Sequence, residues 1–123
     1  MSDHAIGARR WAIAEGYLPE WSNGPAPEMT SHEAVCLLNT AASDARVTLT
    51  VYFEDRDPIG YDLTVPARRT VHQRFNDLED PPIPRGLGYA CVIEADTPIV
   101  VQHTRLDSRQ AANAVLSTIA YHE

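Results

Sequence analysis

The 123-residue sequence contains no lysine, and all ten of its basic residues are arginine. That absence excludes Schiff-base and lysine-base chemistry. It also makes every strong cation a planar, permanently charged fork suited to carboxylates, phosphates and sugar hydroxyls. Positive charge is scarce overall, since seventeen acidic residues against ten basic ones give −7 with histidine neutral. Broad binding to DNA or to an anionic membrane needs a net positive field and is disfavoured, although a local arginine patch is not. The two cysteines, Cys36 and Cys91, lie inside apolar runs and are too few for a disulfide framework, so they read as buried free thiols. No Cys-x-x-Cys or Cys/His zinc spacing occurs. No apolar stretch is long enough for a membrane-spanning helix. The opening MSDHAIGARRW lacks the apolar segment of a signal peptide, and the expectation is a cytoplasmic protein of bacterial type.

What is present describes an ordinary globular chain, 44% hydrophobic and 22% charged. One domain over 1–123 is expected, burying about two-thirds of the surface its unfolded chain exposes. Nine prolines, six glycines and many β-branched residues favour strands and turns over helices. Period-two alternation predicts strands over Arg10 to Tyr17, Glu33 to Asn39, Val47 to Phe53, Tyr61 to Val65 and Thr70 to Phe75. Two more are predicted over Tyr89 to Ala95 and Ile99 to Thr104, joined by a turn at Asp96-Thr97-Pro98. Ser22 to Ser31 and the proline-rich Asn76 to Gly88 read as loops. A short helix is predicted over Ser108 to Ala114, then a last strand over Leu116 to Tyr121. The nearly continuous apolar run of Glu33 to Asn39 suits a central strand. Val47, Leu49, Val51 and Phe53 suit a core face whose reverse, Thr48, Thr50 and Tyr52, is wet or an interface. The fold class is therefore all-β, an antiparallel sandwich or barrel of seven or eight short strands.

The polar residues that interrupt these strands fall into four groups. Trp11, Glu15 and Tyr17 lie on the first strand, and His32, Glu33 and Asn39 at the ends of the next. Arg68, Arg69, His72 and Arg74 run from a turn into a strand. His103, Arg105, Asp107 and Arg109 follow the apolar run near the C-terminus. His72, Arg74 and Thr70 share one face; they are either a solvated outer face or donors lining a concave sheet or subunit seam, and spacing alone favours the solvated face.

Trp11, Tyr17 and Trp21, close to Glu15, Asn23 and several arginines, match the needs of sugar recognition, with rings for the apolar face of a pyranose and charged groups for its hydroxyls. Trp11 also reads as plain core, whereas Trp21, beside Gly24-Pro25, does not. His32, His72 and His103 with Glu15 or Glu33 hold the residue types of a zinc site but not its paired spacing, so a hydrogen-bonding histidine is favoured for each and no metal or other cofactor is expected. No Gly-x-Ser-x-Gly, phosphate loop or dinucleotide motif occurs, which makes an enzyme the minority reading.

The blocks WAIAEGY, NGPAPE, SHEAVCLLN, TVPARRTVHQRFNDL and PIVVQHTRLDSRQAANAVLSTIAY resemble the sensory rhodopsin transducer family from about Trp11 to Tyr121. The resemblance implies a jelly-roll β-sandwich similar to carbohydrate-binding folds, a cyclic homotetramer and a signalling role without known catalysis. It implies a small sugar-like ligand in a pocket lined by the members of the four groups other than Arg109. The alternatives it leaves are an adaptor docked on a membrane rhodopsin or other receptor, and a DNA-level response, which the charge disfavours. A hydrolase using His and Glu, with or without zinc, stands apart as a further alternative.

Overall fold

The computed structural model describes residues 4–110 and 112–123. Its eight strands are β1 (Ala8–Tyr17), β2 (His32–Asn39), β3 (Ala45–Phe53), β4 (Ile59–Val65), β5 (Arg69–Arg74), β6 (Gly88–Asp107), β7 (Ala114–Ile119) and β8 (Tyr121–His122). All pairings are antiparallel. One layer runs β4-β3-β6-β1-β8 and the other β5-β2-β6-β7, so β6 belongs to both. The expected antiparallel β-sandwich is the architecture found, and β2, flanked by β5 and β6, is central as its apolar run required.

The two strands expected around Asp96-Thr97-Pro98 are halves of one continuous element. β6 has 20 residues. Straight, it would run about 66 Å, nearly twice the roughly 35 Å diameter of a compact chain this long. It therefore folds back. Gly88 pairs with Tyr17 at one end of the sandwich, and Arg105 comes within 3.8 Å of Glu15 at that same end. The fold-back falls at the expected turn, where the register with β1 skips between Glu94 and Ile99. Pro98 is tolerated there because an irregular position spares it from donating to a ladder.

The helix expected over Ser108 to Ala114 is not formed by its described residues, Ala111 lying outside them. Ser108 is buried and turns inward to donate to the Met29 carbonyl. Asn23 occupies the Ser108 and Arg109 carbonyls that a helix would have used, and Asp107 takes the Arg109 N–H. The last strand is split at buried Ala120, passing from β7 on one layer to β8 on the other. Phe75, expected in the fifth strand, opens a short 3-10 turn over Phe75–Asp77 instead. Cys91 is buried as expected, but Cys36 is only half-buried because it faces outward opposite His72.

One core fills the space between the layers: Ile13, Val47, Leu49, Val51 and Ile93 from the first, Val35, Leu37 and Val101 from the second. The loop after β5 closes one end with Phe75, Leu78 and Ile83, all buried, and Tyr61 donates its hydroxyl to the Pro81 carbonyl at 2.6 Å. No helix is long and apolar enough to cross a membrane among the described residues.

Candidate functional site

Along β6 the core-facing row begins with buried Ile99 and Val101 and continues, two residues at a time, into His103, Arg105 and Asp107. The core-facing row of β2 opens likewise with Glu33 before turning apolar at Val35 and Leu37. Register sets Glu33 opposite Arg105 and Val35 opposite His103, so the polar parts of both rows meet at one end of the sandwich. The Glu33 carboxylate is wholly buried there. His103 Nε2 lies 2.6 Å from Glu33 Oε1. Arg105 Nε donates to Oε2 at 3.2 Å, and the Tyr17 backbone N–H donates to the same oxygen. A buried carboxylate survives only with such partners, because an unpaired one would be neutralised by desolvation.

Glu15 reaches the same cluster through a β-bulge. Between the Ile13–Cys91 and Gly16–Tyr89 pairs, β1 advances three residues while β6 advances two. The extra residue turns Glu15 outward, where its carboxylate lies 3.8 Å from Arg105 Nη1. The bulge also sets Gly16 against the Tyr89 ring, 2.3 Å from where a Cβ would stand, which is a contact that only glycine permits. Tyr89 is buried, and its hydroxyl is the one buried side-chain polar atom without a hydrogen bond among the described residues. Burial, followed by the Glu33 charge, raises its pKa far above the usual phenol range.

Two cavities of about 300 Å³ meet at Glu15. The first is lined by Glu15, Tyr52, Phe53, Glu54 and the backbone of Gly16 and Gly88. The second has His103 on its wall and runs beneath Thr118 to Tyr121. On the far side of the cluster, Asp107 holds Arg109 through two parallel contacts, Nε to Oδ1 at 3.0 Å and Nη2 to Oδ2 at 2.7 Å. The Arg109 guanidinium lies 5.5 Å from the Tyr17 ring centre and 5.7 Å from that of Trp21.

A model of the family described as Anabaena sensory rhodopsin transducer matches residues 6–122. The chain belongs to that family. The structure of an Anabaena sensory rhodopsin transducer is 60% identical, with 87% of this chain and 95% of that one covered and a TM-score of 0.76. The crystal structure of Thermotoga maritima 1070 is 32% identical, with 95% and 96% covered and a TM-score of 0.84. No curated protein matches the chain.

Of the residues singled out from this transducer-family sequence, the fold gathers Glu15, Tyr17, Glu33, His103, Arg105 and Asp107 at one end. Trp11 is buried, its indole N–H shared between the Ala8 and Ile99 carbonyls at 2.9 and 3.1 Å. Asn39, also buried, pins the turn after β2 and the end of β4 through Ser43, Val65 and Ala41. His32 lies on the outer side of its layer, its Nδ1 2.8 Å from the Thr30 carbonyl. His72 is on that outer side too, opposite Cys36, whereas His103 faces the core. Among the described residues no three His, Cys, Asp or Glu side chains are grouped to hold a metal.

Arg68 and Arg69 are exposed around the turn before β5, with Arg68 at a φ of +56°. Arg74 donates to the Pro27 carbonyl at 3.1 Å. The cavity beside Glu15 adds Tyr52, Phe53 and Glu54, for which the sequence held one signal, the wet face containing Tyr52.

Proposed function

We propose that this chain is a non-enzymatic, cytoplasmic signalling adaptor that binds a small sugar-like ligand in the cavity beside Glu15 and passes its occupancy to a protein-binding strip at β7 and β8. The observation that carries this reading is the position of Glu15, on the rim of both 300 Å³ cavities and at the head of the ion-pair chain through Arg105 and Glu33 to His103. The exposed Tyr52 ring supplies a platform for the apolar face of a pyranose, and Glu15 and Glu54 supply acceptors for its hydroxyls. A hydroxyl bound to Glu15 competes with Arg105 for that carboxylate. Any shift of Arg105 is felt by Glu33 and His103, and through His103 by the segment Thr118 to Tyr121.

That segment adjoins a run of exposed apolar side chains, with Val115, Leu116, Ile119 and Tyr121 between 47% and 69% exposed. Among the described residues β7 is an edge strand, paired with β6 alone. An apolar edge of this kind supports packing against other copies, and a homotetramer is the assembly we propose. Kinship with a sensory rhodopsin transducer supports a membrane rhodopsin or a similar receptor as the upstream partner. Hydrolysis fits less well, because both Glu33 oxygens are taken and the pair faces the core. Binding to DNA opposes the charge of −7 on each chain.

The test is a thermal-shift panel of neutral monosaccharides and sugar acids. A ligand at 100 times its Kd stabilises by about 2.7 kcal/mol, which is several degrees for a domain of this size. The expected result is a selective shift that Glu15→Gln and Tyr52→Ala abolish while the unliganded Tm stays within a few degrees. A panel without any shift, or a shift that survives both substitutions, removes the sugar reading.

A further inference from the structure

The fold brings Tyr17 and Trp21, at and just beyond the end of β1, together with Asp107 at the end of β6 around one point, and Arg109 fills it. Guanidinium recognition asks for two in-plane acceptors on one edge and aromatic faces above the plane, and all of these are present. The carboxylate grips in parallel at 3.0 and 2.7 Å, the geometry that matches a guanidinium and not an ammonium. Both ring centres lie within the roughly 6 Å at which a cation is attracted to a π face. The same contact holds the Asp107 carboxyl below the usual carboxylate range, chiefly through the Arg109 hydrogen bonds.

We propose that Tyr17, Trp21 and Asp107 form a guanidinium-binding site which the chain's own Arg109 occupies, and for which an external guanidinium group competes. Three features make the occupant exchangeable. Arg109 stands two residues after Asp107, so the contact is local and its opening disrupts no strand pairing. The backbone at this point is fastened independently of the guanidinium, with the Asn23 N–H bonded to the Ser108 carbonyl at 2.7 Å and the Asn23 side-chain amide bonded to the Arg109 carbonyl. Only the side chain has to leave. A depression of about 420 Å³, bordered by Trp21, Asp107, Arg109 and Gln110, lies beside the cage and is open to the incoming group. Trp21 is 58% exposed along that side. The site is separate from the Glu15 cavity and does not depend on a sugar binding there.

The chemistry is shared by a small alkylguanidine and by an arginine side chain of a partner protein, and the test separates them. Wild type and Arg109→Ala are titrated with agmatine, with acetyl-arginine amide, and with acetyl-lysine amide as the ammonium control. Calorimetry and tryptophan fluorescence provide the readouts, the ligand-dependent change in the latter coming from Trp21, which lines the site, while Trp11 lies in the core and supplies a constant background. Arg109→Ala is expected to bind agmatine or the arginine amide at least tenfold more tightly than wild type does and to discriminate against lysine. Adding Asp107→Asn is expected to abolish that gain. Preference for agmatine assigns the site to a small molecule, and preference for the arginine amide assigns it to a partner's side chain. Should Arg109→Ala unfold, Arg109→Met keeps the apolar stem and carries the same test. Equal weak binding by wild type and the opened variants, or a gain that survives Asp107→Asn, overturns the proposal.

Discussion

The Glu33 carboxylate and the His103 imidazole lie 2.6 Å apart with side chains 0% and 7% exposed, buried polar partners where the core-facing rows of β2 and β6 turn from apolar to polar. Arg105 completes the carboxylate's shell from the opposite strand. Such a group is costly to strip of one partner and far less costly to replace as a whole.

Glu33→Ala is therefore expected to destabilise by roughly 3–5 kcal/mol, because it leaves His103 and Arg105 facing an emptied, buried position. His103→Ala is expected to cost less, since Arg105 and the Tyr17 N–H still hold Glu33. Urea denaturation of both variants checks the order, and a Glu33→Ala cost below 1 kcal/mol would show that the pair contributes nothing net.

Alkaline pH should weaken the fold through two buried acids. Burial pushes the Cys91 thiol up to about 12 and raises Tyr89 further still. The unfolded thiol loses its proton near pH 8.5 and the unfolded phenol near 10, at about the reference values. Above those points the unfolded state binds fewer protons than the native one, so stability falls as pH rises, by up to about 1.4 kcal/mol per pH unit for each group. Cys91→Ala is expected to flatten the first part of that fall, between about pH 8.5 and 12. In the native protein at pH 8 a thiol reagent is expected to titrate Cys36 alone, with Cys91 reacting only after denaturation.

Gly16→Ala places a methyl 2.3 Å from the Tyr89 ring. The strain is expected to cost about 1–3 kcal/mol, read as a lower midpoint in denaturant. Tyr89→Leu alone also destabilises by cavity formation, but in the double variant the added methyl finds space. A double-mutant cycle should give a favourable coupling energy, and strict additivity would mean that the bulge relaxes in some other way.

For the exposed edge, light scattering on wild type is expected to give four times the protomer mass of 13.6 kDa. Val115→Asp combined with Ile119→Asp introduces two charges on one face of β7 and is expected to reduce that mass. Strand β7 contributes no residue to the core cluster, so far-UV circular dichroism should hardly change. A full-size assembly in the double variant would place the contacts between copies elsewhere.

Much of the layer structure could be read directly. The alternation of Val47, Leu49 and Val51 marks a buried face because strand side chains repeat every two residues, and no tertiary context was needed. The polar residues Glu33, His103 and Arg105 stood out for the same reason, as breaks in apolar rows. Their mutual contact was not legible, since it depends on the register between β2 and β6, which are far apart in the chain. Glu15 was singled out without its partner, because a bulge is one added residue against another strand and leaves no mark in its own sequence. Trp11 carries the same letter in a core as in a sugar site, and only the carbonyls of Ala8 and Ile99 decide between them. The helix expected at Ser108 failed because local propensity was outweighed by the carbonyls that Asn23 claims from a distant loop.

The double membership of strand β6 also governs how the chain is assembled during synthesis. Both layers are stitched through it: β1 and β3 flank its first half, β2 and β7 its second. A chain emerging from the ribosome can form the β3–β4 hairpin and the β2–β5 pair by itself, but the first layer gains its middle only when Gly88 to Ala95 follows, and the second only when β6 is complete to Asp107. Each layer thus waits on a strand made well after most of its neighbours, and long-range pairing of this kind is slow. Until then the apolar faces of β2 and β3 are open to chaperones or to neighbouring nascent chains. Once β6 has closed, neither layer can melt without unfastening the other, and unfolding proceeds as one concerted event.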